Sequence, residues 1–302
     1  MASIGCQAGS QNCPLNQAVV LIDYTDKSNA DGQVPGAGRI ARPCDADDVQ
    51  FARAMTKPME ILFLLVGRGG SKGLPGKNLR EIGGLSLIGY KAKSARQSRY
   101  CSRLIVSSDS AEIRAEAARH GAEVLFERPA ELATDTASSN DVVLHAMDWI
   151  ETHEWRRYDA IMLLEPSSPF ARPEHFDEAV NLFMARNASL VVGMRETEVS
   201  SIFVGTLGKD GSIGGIVENM LKTTAQRRQD QAPEVTMNGA LYLVGWDAMR
   251  KHRKIYADPS SSYGLLMDRL HSIEIESAAD LAYASYTIEH GMLDASPWRK
   301  SA

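Results

Sequence analysis

Residues 60–80 read EILFLLVGRGGSKGLPGKNLR. The opening run Glu60–Val66 is apolar without alternation, the pattern of a β-strand covered on both faces. The glycine-rich turn that follows carries Arg68, Lys72, Lys77 and Arg80 and no acidic residue. A helix is expected over Leu85–Arg99. Strand, basic glycine loop and helix in this order form an anion site. The glycines let the backbone approach a ligand, and the N–H groups and cations face its charge. Two common phosphate loops are excluded. Before Gly76-Lys77 the Walker pattern needs a glycine where Ser71 stands. The dinucleotide fingerprint begins at Gly67 and Gly69 but meets Lys72 at its third glycine.

Downstream, β- and α-type segments alternate. Strands are expected at Arg103–Ser107, Glu123–Phe126, Ala160–Leu164, Leu190–Val192 and Ala240–Val244. Helices are expected at Ala111–His120, which Gly121 ends, at Ser138–Glu154, at Pro173–Asn187 and at Ala278–His290. Repeated βαβ units predict an α/β, three-layer, Rossmann-like fold with a mostly parallel sheet. Residues 198–237 interrupt the alternation with closely spaced glycines, which predicts a small insert rich in β-hairpins. Residues 59–302 are expected to form the catalytic domain. Residues 1–58 are polar and turn-rich apart from Ala18–Ile22. They are expected to be a poorly ordered leader or N-terminal extension, or a small accessory element built on that apolar patch.

The chain has 302 residues, 44% hydrophobic and 24% charged, with net charge −5. That balance gives no global reason to expect nucleic-acid binding. No apolar run is long enough for a membrane span, and no secretory signal pattern is present, so a cytoplasmic location is expected. Cys6, Cys13, Cys44 and Cys101 form no CxxC pair and no cluster with histidine, which argues against zinc and for free thiols.

The basic loop and its flanks resemble the CMP-sialic acid synthetases (acylneuraminate cytidylyltransferases), whose loop runs A-R-G/Q-x-S-K-G-x-P-x-K-N. Here Gly67 replaces the leading alanine. The resemblance continues in order through Arg128–Ala133 and Thr134–Ser139 (RPAELATDTASS), Leu163–Pro169 (LLEPSSP), Arg227–Asp230 (RRQD), Asn238–Tyr242 (NGALY) and Ser272–Glu276 (SIEIE). It implies CTP as co-substrate and transfer of CMP to a nonulosonic sugar acid. Arg68 and Lys72 would act on the triphosphate. Gly69, Ser71, Lys77, Asn78, Arg128 and Ser139 would bind CTP. Glu165, Arg228, Gln229 and Asn238 would meet the sugar. The family's D-I-D motif holds Mg²⁺ (or Mn²⁺), and Glu274 and Glu276 stand in its place. On a strand these two would share one face, and carboxylate oxygens suit that ion. The family's insert pairs with a second subunit, so a homodimer is implied.

Two departures touch the sugar. Glu165 replaces the glutamine of LLQPTSP, and Thr236 stands where many members carry arginine. Met237-Asn238 is similar to the legionaminate-activating relatives. Other readings are cytidylyl transfer to a different acceptor such as Kdo or a phosphonate, and an inactive nucleotide-binding homologue.

Overall fold

The computed structural model describes residues 59–222 and 233–299, and the backbone of strands at 2–5, 19–24 and 38–43. The chain divides into two compact units, Met1–Pro58 and Met59–Ala302. The first contains β1 (Ala2–Gly5), β2 (Val19–Tyr24) and β3 (Gly38–Pro43) in an antiparallel sheet of that order. The apolar patch noted in the sequence runs into β2.

The second unit is built on β4 (Ile61–Val66). Its other main strands are β7 (Cys101–Ser107), β8 (Ala160–Leu164), β9 (Leu190–Glu196), β10 (Val235–Gly245) and β11 (Ser262–Leu266). They lie in the order β11-β9-β10-β8-β4-β7. β4 is parallel to β7 and β8, and β11 is parallel to β9. β10 alone runs antiparallel, to both β8 and β9. A two-stranded ribbon, β5 (Glu81–Ile82) with β6 (Leu85–Ser86), leads out of the basic loop.

Helices cover both faces because successive β4 side chains point to opposite sides. Ile61, Phe63 and Leu65 pack in one cluster with Ile88 and Ala92 of α1 (Leu87–Gln97), Ala117 of α2 (Ala111–Arg119) and Phe176 of α4 (Pro173–Arg186). Leu62 and Leu64 pack in another with Val143, Met147 and Ile150 of α3 (Ser139–Glu154) and Trp246 of α6 (Trp246–His252). This is the three-layer arrangement expected from the continuous apolar run. Truncating one of these buried side chains to alanine costs about 2–5 kcal/mol. A third cluster joins α7 (Ala278–Glu289), the ribbon and Trp298 of α8 (Ser296–Arg299). Trp298 meets the rings of Tyr90 and Phe170 and donates to Ser94 Oγ at 2.6 Å.

Three local expectations are corrected. Glu123–Phe126 forms only a single parallel bridge, between Ile105 and Glu123, because Leu125 and Phe126 turn in to pack beside Trp149. The 198–237 insert is stemmed by antiparallel pairing of Val235–Met237 with Met194–Glu196. Beyond that stem its described residues form a 3₁₀ turn, Ser201–Phe203, and helix α5 (Gly214–Lys222), not hairpins. Ile213, Val217, Met220 and Leu221 recur at helical spacing there, and that period outweighs the glycines. Ser272 closes a turn, and Ile273–Glu276 belong to no strand.

Candidate active site

β4 lies at the switch point of the sheet. The chain leaves it for β7 on one side and later returns to β8 on the other, which opens a crevice at the strands' carboxyl ends. A cavity of about 470 Å³ occupies that position, a volume suited to a small-molecule ligand. Arg68, Ser71, Lys72, Lys77 and Asn78 of the basic loop line it, with Arg128, Asp135, Ser139, Glu165 and Glu276.

The loop is held by its own residues. Gly76 adopts the left-handed conformation at φ 65° and starts the 3₁₀ turn Lys77–Leu79. Asn78 is buried, and its Nδ2 donates to Arg68 O at 3.1 Å. Gly73 lies against the carboxylate-bearing segment. A Cβ there would sit 2.5 Å from Glu276 O, so no other residue fits without displacement. Gly69 does not line the cavity, and its N–H donates to Asp109 Oδ1 at 3.0 Å.

Opposite the loop, Arg128 is buried, with Nε donating to Ser107 Oγ at 3.0 Å and a second guanidinium nitrogen donating to Ser107 O. Burial lowers its pKa to about 10, opposed by Asp109, so it remains a cation at neutral pH. Ser139 opens α3 one residue after Ser138, whose hydroxyl accepts from Asp141 N at 3.3 Å. Asp135 bridges the two loop cations, at 2.6 Å from Arg68 and 2.5 Å from Lys72. Lys72 and Arg68 together hold its carboxyl below the usual range.

Ile273 and Ile275 are buried while Glu274 and Glu276 point outward, so the two acids share a face as expected. Extended backbone supplies that alternation, pinned by Ile275 N to Ser167 O at 2.7 Å. Lys77 pairs with Glu276 at 2.6 Å. Partial burial and then Glu276 raise the pKa of Glu274, against Lys77 and Arg195. Arg68, Lys72 and Glu276 therefore line one cavity, and Glu274 lines the adjoining one that Glu276 also borders.

Glu165 comes close to Glu274 across Gly239. At φ 65°, a Cβ on Gly239 would lie 3.2 Å from Glu274 Oε1 and 3.4 Å from Glu165 Oε2. Burial, then Glu274, raises Glu165 to about 7, with Lys91 and Lys77 opposing. Lys91, on α1, is fully buried and donates to Ala240 O at 2.8 Å; burial lowers it to about 7.

Asn238 does not reach the cavity. It is fully buried, donating to Ser272 Oγ at 2.9 Å and accepting from Ala240 N at 3.1 Å, which shapes the turn at Gly239. Arg228 and Gln229 lie outside the described residues. Sequence reasoning missed Lys91, Asp109 and Asp135. Asp135 was signalled by its place in the Thr134–Ser139 block. Lys91 was signalled by a cation amid the apolar positions of LIGYKAK. One grouping of metal-type side chains among the described residues, His175, Asp268 and His271, is engaged in capping. His175 Nδ1 accepts from Arg172 N, and Asp268 accepts from Leu270 N, His271 N and His271 Nδ1.

The cytidylyltransferase family model matches residues 62–203. The CMP-N,N'-diacetyllegionaminic acid synthase of Legionella pneumophila subsp. pneumophila is 30% identical over 237 residues, covering 76% of this chain and 97% of that protein. An N-acylneuraminate cytidylyltransferase of Escherichia coli O18:K1:H7 is 28% identical over 226 residues, covering 74% of this chain and 51% of that one. In fold, the chain resembles a solved CMP:2-keto-3-deoxy-manno-octonic acid synthetase complexed with CTP, with TM-score 0.55 at 13% identity over 77% of this chain and 99% of the other. The chain belongs to the CMP-sialic acid synthetase family of cytidylyltransferases.

Proposed function

We propose that this enzyme transfers CMP from CTP to the anomeric hydroxyl of a nonulosonic acid of the legionaminic type. The hydroxyl oxygen forms a bond to the α-phosphorus, the α–β anhydride bond breaks, and pyrophosphate leaves with its electron pair. The hydroxyl proton is lost to solvent or base. The observation that carries this reading is the shared cavity: Arg68 and Lys72 face the same space as Arg128, Ser139 and Glu276. Cations fixed at one end match a triphosphate, whose charge grows on the leaving group in the transition state. Arg128, Asn78 and Ser139 present donors for a base and ribose.

Glu274 and Glu276 fit a divalent cation by their chemistry. They are hard oxygen donors, adjacent on one face, and their mutual repulsion is relieved by positive charge. Mg²⁺ or Mn²⁺ held there would neutralise charge on the α-phosphate and orient it. The cytoplasm is the proposed setting.

The partner is a second copy of the chain. The insert exposes Phe203, Leu207, Ile213 and Leu221, and Leu221 is 80% exposed. Large apolar side chains at that density on one excursion mark an interface.

A panel of purified nonulosonic acids, Kdo and phosphonate acceptors, with CTP, Mg²⁺ and pyrophosphate detection, tests the reaction. Turnover is expected with N,N'-diacetyllegionaminic acid. Pyrophosphate release with Kdo or a phosphonate alone would replace the acceptor, and release with none would refute the reaction.

A further inference from the structure

The acceptor proposed above is an acid, and its carboxylate is bonded to the same carbon as the attacking hydroxyl. When that hydroxyl reaches the α-phosphate, the carboxylate is therefore a few ångströms away, beside the metal-type carboxylates. A side-chain cation that meets it there offsets its charge beside those acids and leaves any divalent ion they hold to the phosphate. Among the described residues, the cations that act most strongly on Glu274 are Lys77 and Arg195. Lys77 is already engaged with Glu276 at 2.6 Å. Arg195 is held only loosely, with Glu198 at 4.0 Å and its side chain 34% exposed.

Arg195 opens onto a second cavity of about 400 Å³, lined also by Glu198, Arg269, Glu274, Glu276 and Tyr283. This cavity meets the nucleotide cavity at Glu276. Arg269 reaches the same Glu198 oxygen as Arg195, at 2.8 Å. Two guanidinium groups thus converge on one carboxylate oxygen. Arg195 also lies directly across the β9–β10 ladder from Thr236.

We propose that Arg195 and Arg269 form the binding site for the carboxylate of the acceptor sugar, with Glu198 holding that place until the acceptor enters. This rests on the nonulosonic-acid reading. The exposed ion pairs to Glu198 are individually weak, so their exchange costs little. A planar guanidinium grips a carboxylate with two parallel hydrogen bonds, which fixes the direction of the hydroxyl beside it.

The test compares N,N'-diacetyllegionaminic acid with its C1 methyl ester, by calorimetric binding to the full chain with CMP present and by steady-state turnover. Wild type is expected to favour the acid at least tenfold. Arg195→Gln is expected to abolish that preference, Arg269→Gln to reduce it, and Glu198→Gln to increase it. KM for CTP should stay within twofold in all three variants, which separates lost recognition from lost fold. A preference that survives in both arginine variants, or none in wild type, overturns the site. Acid-selective binding without turnover would overturn the reaction while leaving the site standing.

Discussion

Gly73 touches Glu276: a methyl group on its α-carbon would come 2.5 Å from the Glu276 carbonyl oxygen. The basic loop and the backbone of the segment that bears Glu274 and Glu276 are thus in direct contact. Gly73→Ala must push the loop from the segment, and a shift of this kind at a reacting centre costs on the order of 10²-fold in rate. Turnover with CTP is expected to fall by that order, with the denaturation midpoint nearly unchanged. Wild-type kcat/KM in G73A would show that the contact is not needed.

Lys72 is 79% exposed, so its loss should leave the fold alone. Lys72→Ala is expected to lower kcat about 10²–10³-fold, the usual effect of removing a positioned charge that meets the transition state. Far-UV circular dichroism should not change. Asp135→Asn removes the acid that bridges Arg68 and Lys72 in the open cleft. It is expected to lower the KM for CTP several-fold, and a raised KM would assign Asp135 to binding.

The buried pair Glu165 and Lys91 predicts an unusual pH profile of stability. Glu165 is raised to about 7, so stability falls as pH rises from the unfolded value of 4.5 toward 7. Lys91 is lowered to about 7, so stability recovers as pH rises from 7 toward 10.5. The two together place a stability minimum near pH 7. Melting temperature against pH should show this dip in wild type and a flattened curve in the Lys91→Met/Glu165→Gln double variant. Parallel curves would deny the pair this influence.

The exposed apolar residues of the insert predict a concentration-dependent dimer. Light scattering on wild type should give twice the chain mass at micromolar concentration. Phe203→Ser with Leu207→Ser should shift it to the monomer, and a wild-type monomer would remove the proposed interface.

Much of this was legible in the sequence because it depends on local pattern. The apolar run Glu60–Val66 announces a central strand, and the cations among glycines announce an anion loop at its end. Glu274 and Glu276 emerge on one face because isoleucines alternate with them, although no sheet pairs that segment. What could not be read depends on tertiary neighbours. Asn238 looks like a ligand contact in the linear motif, yet its amide is consumed by Ser272 and Ala240. Gly69 loses its free N–H to Asp109, forty residues away. Lys91 becomes a buried charge only because β10 brings Ala240 over it. In the insert, closely spaced glycines suggest turns, but Ile213, Val217, Met220 and Leu221 at helical spacing set α5.

Trp298 gives the order of assembly. It lies beyond Glu276 in the chain, yet its ring packs against both Tyr90 of α1 and Phe170, in the loop that begins at Glu165, and those two rings also meet each other. During synthesis, the walls of the cleft emerge from the ribosome well before the tryptophan that locks them. The nascent chain therefore passes through a state in which Tyr90 and Phe170 can already meet but lack the third ring that packs against them.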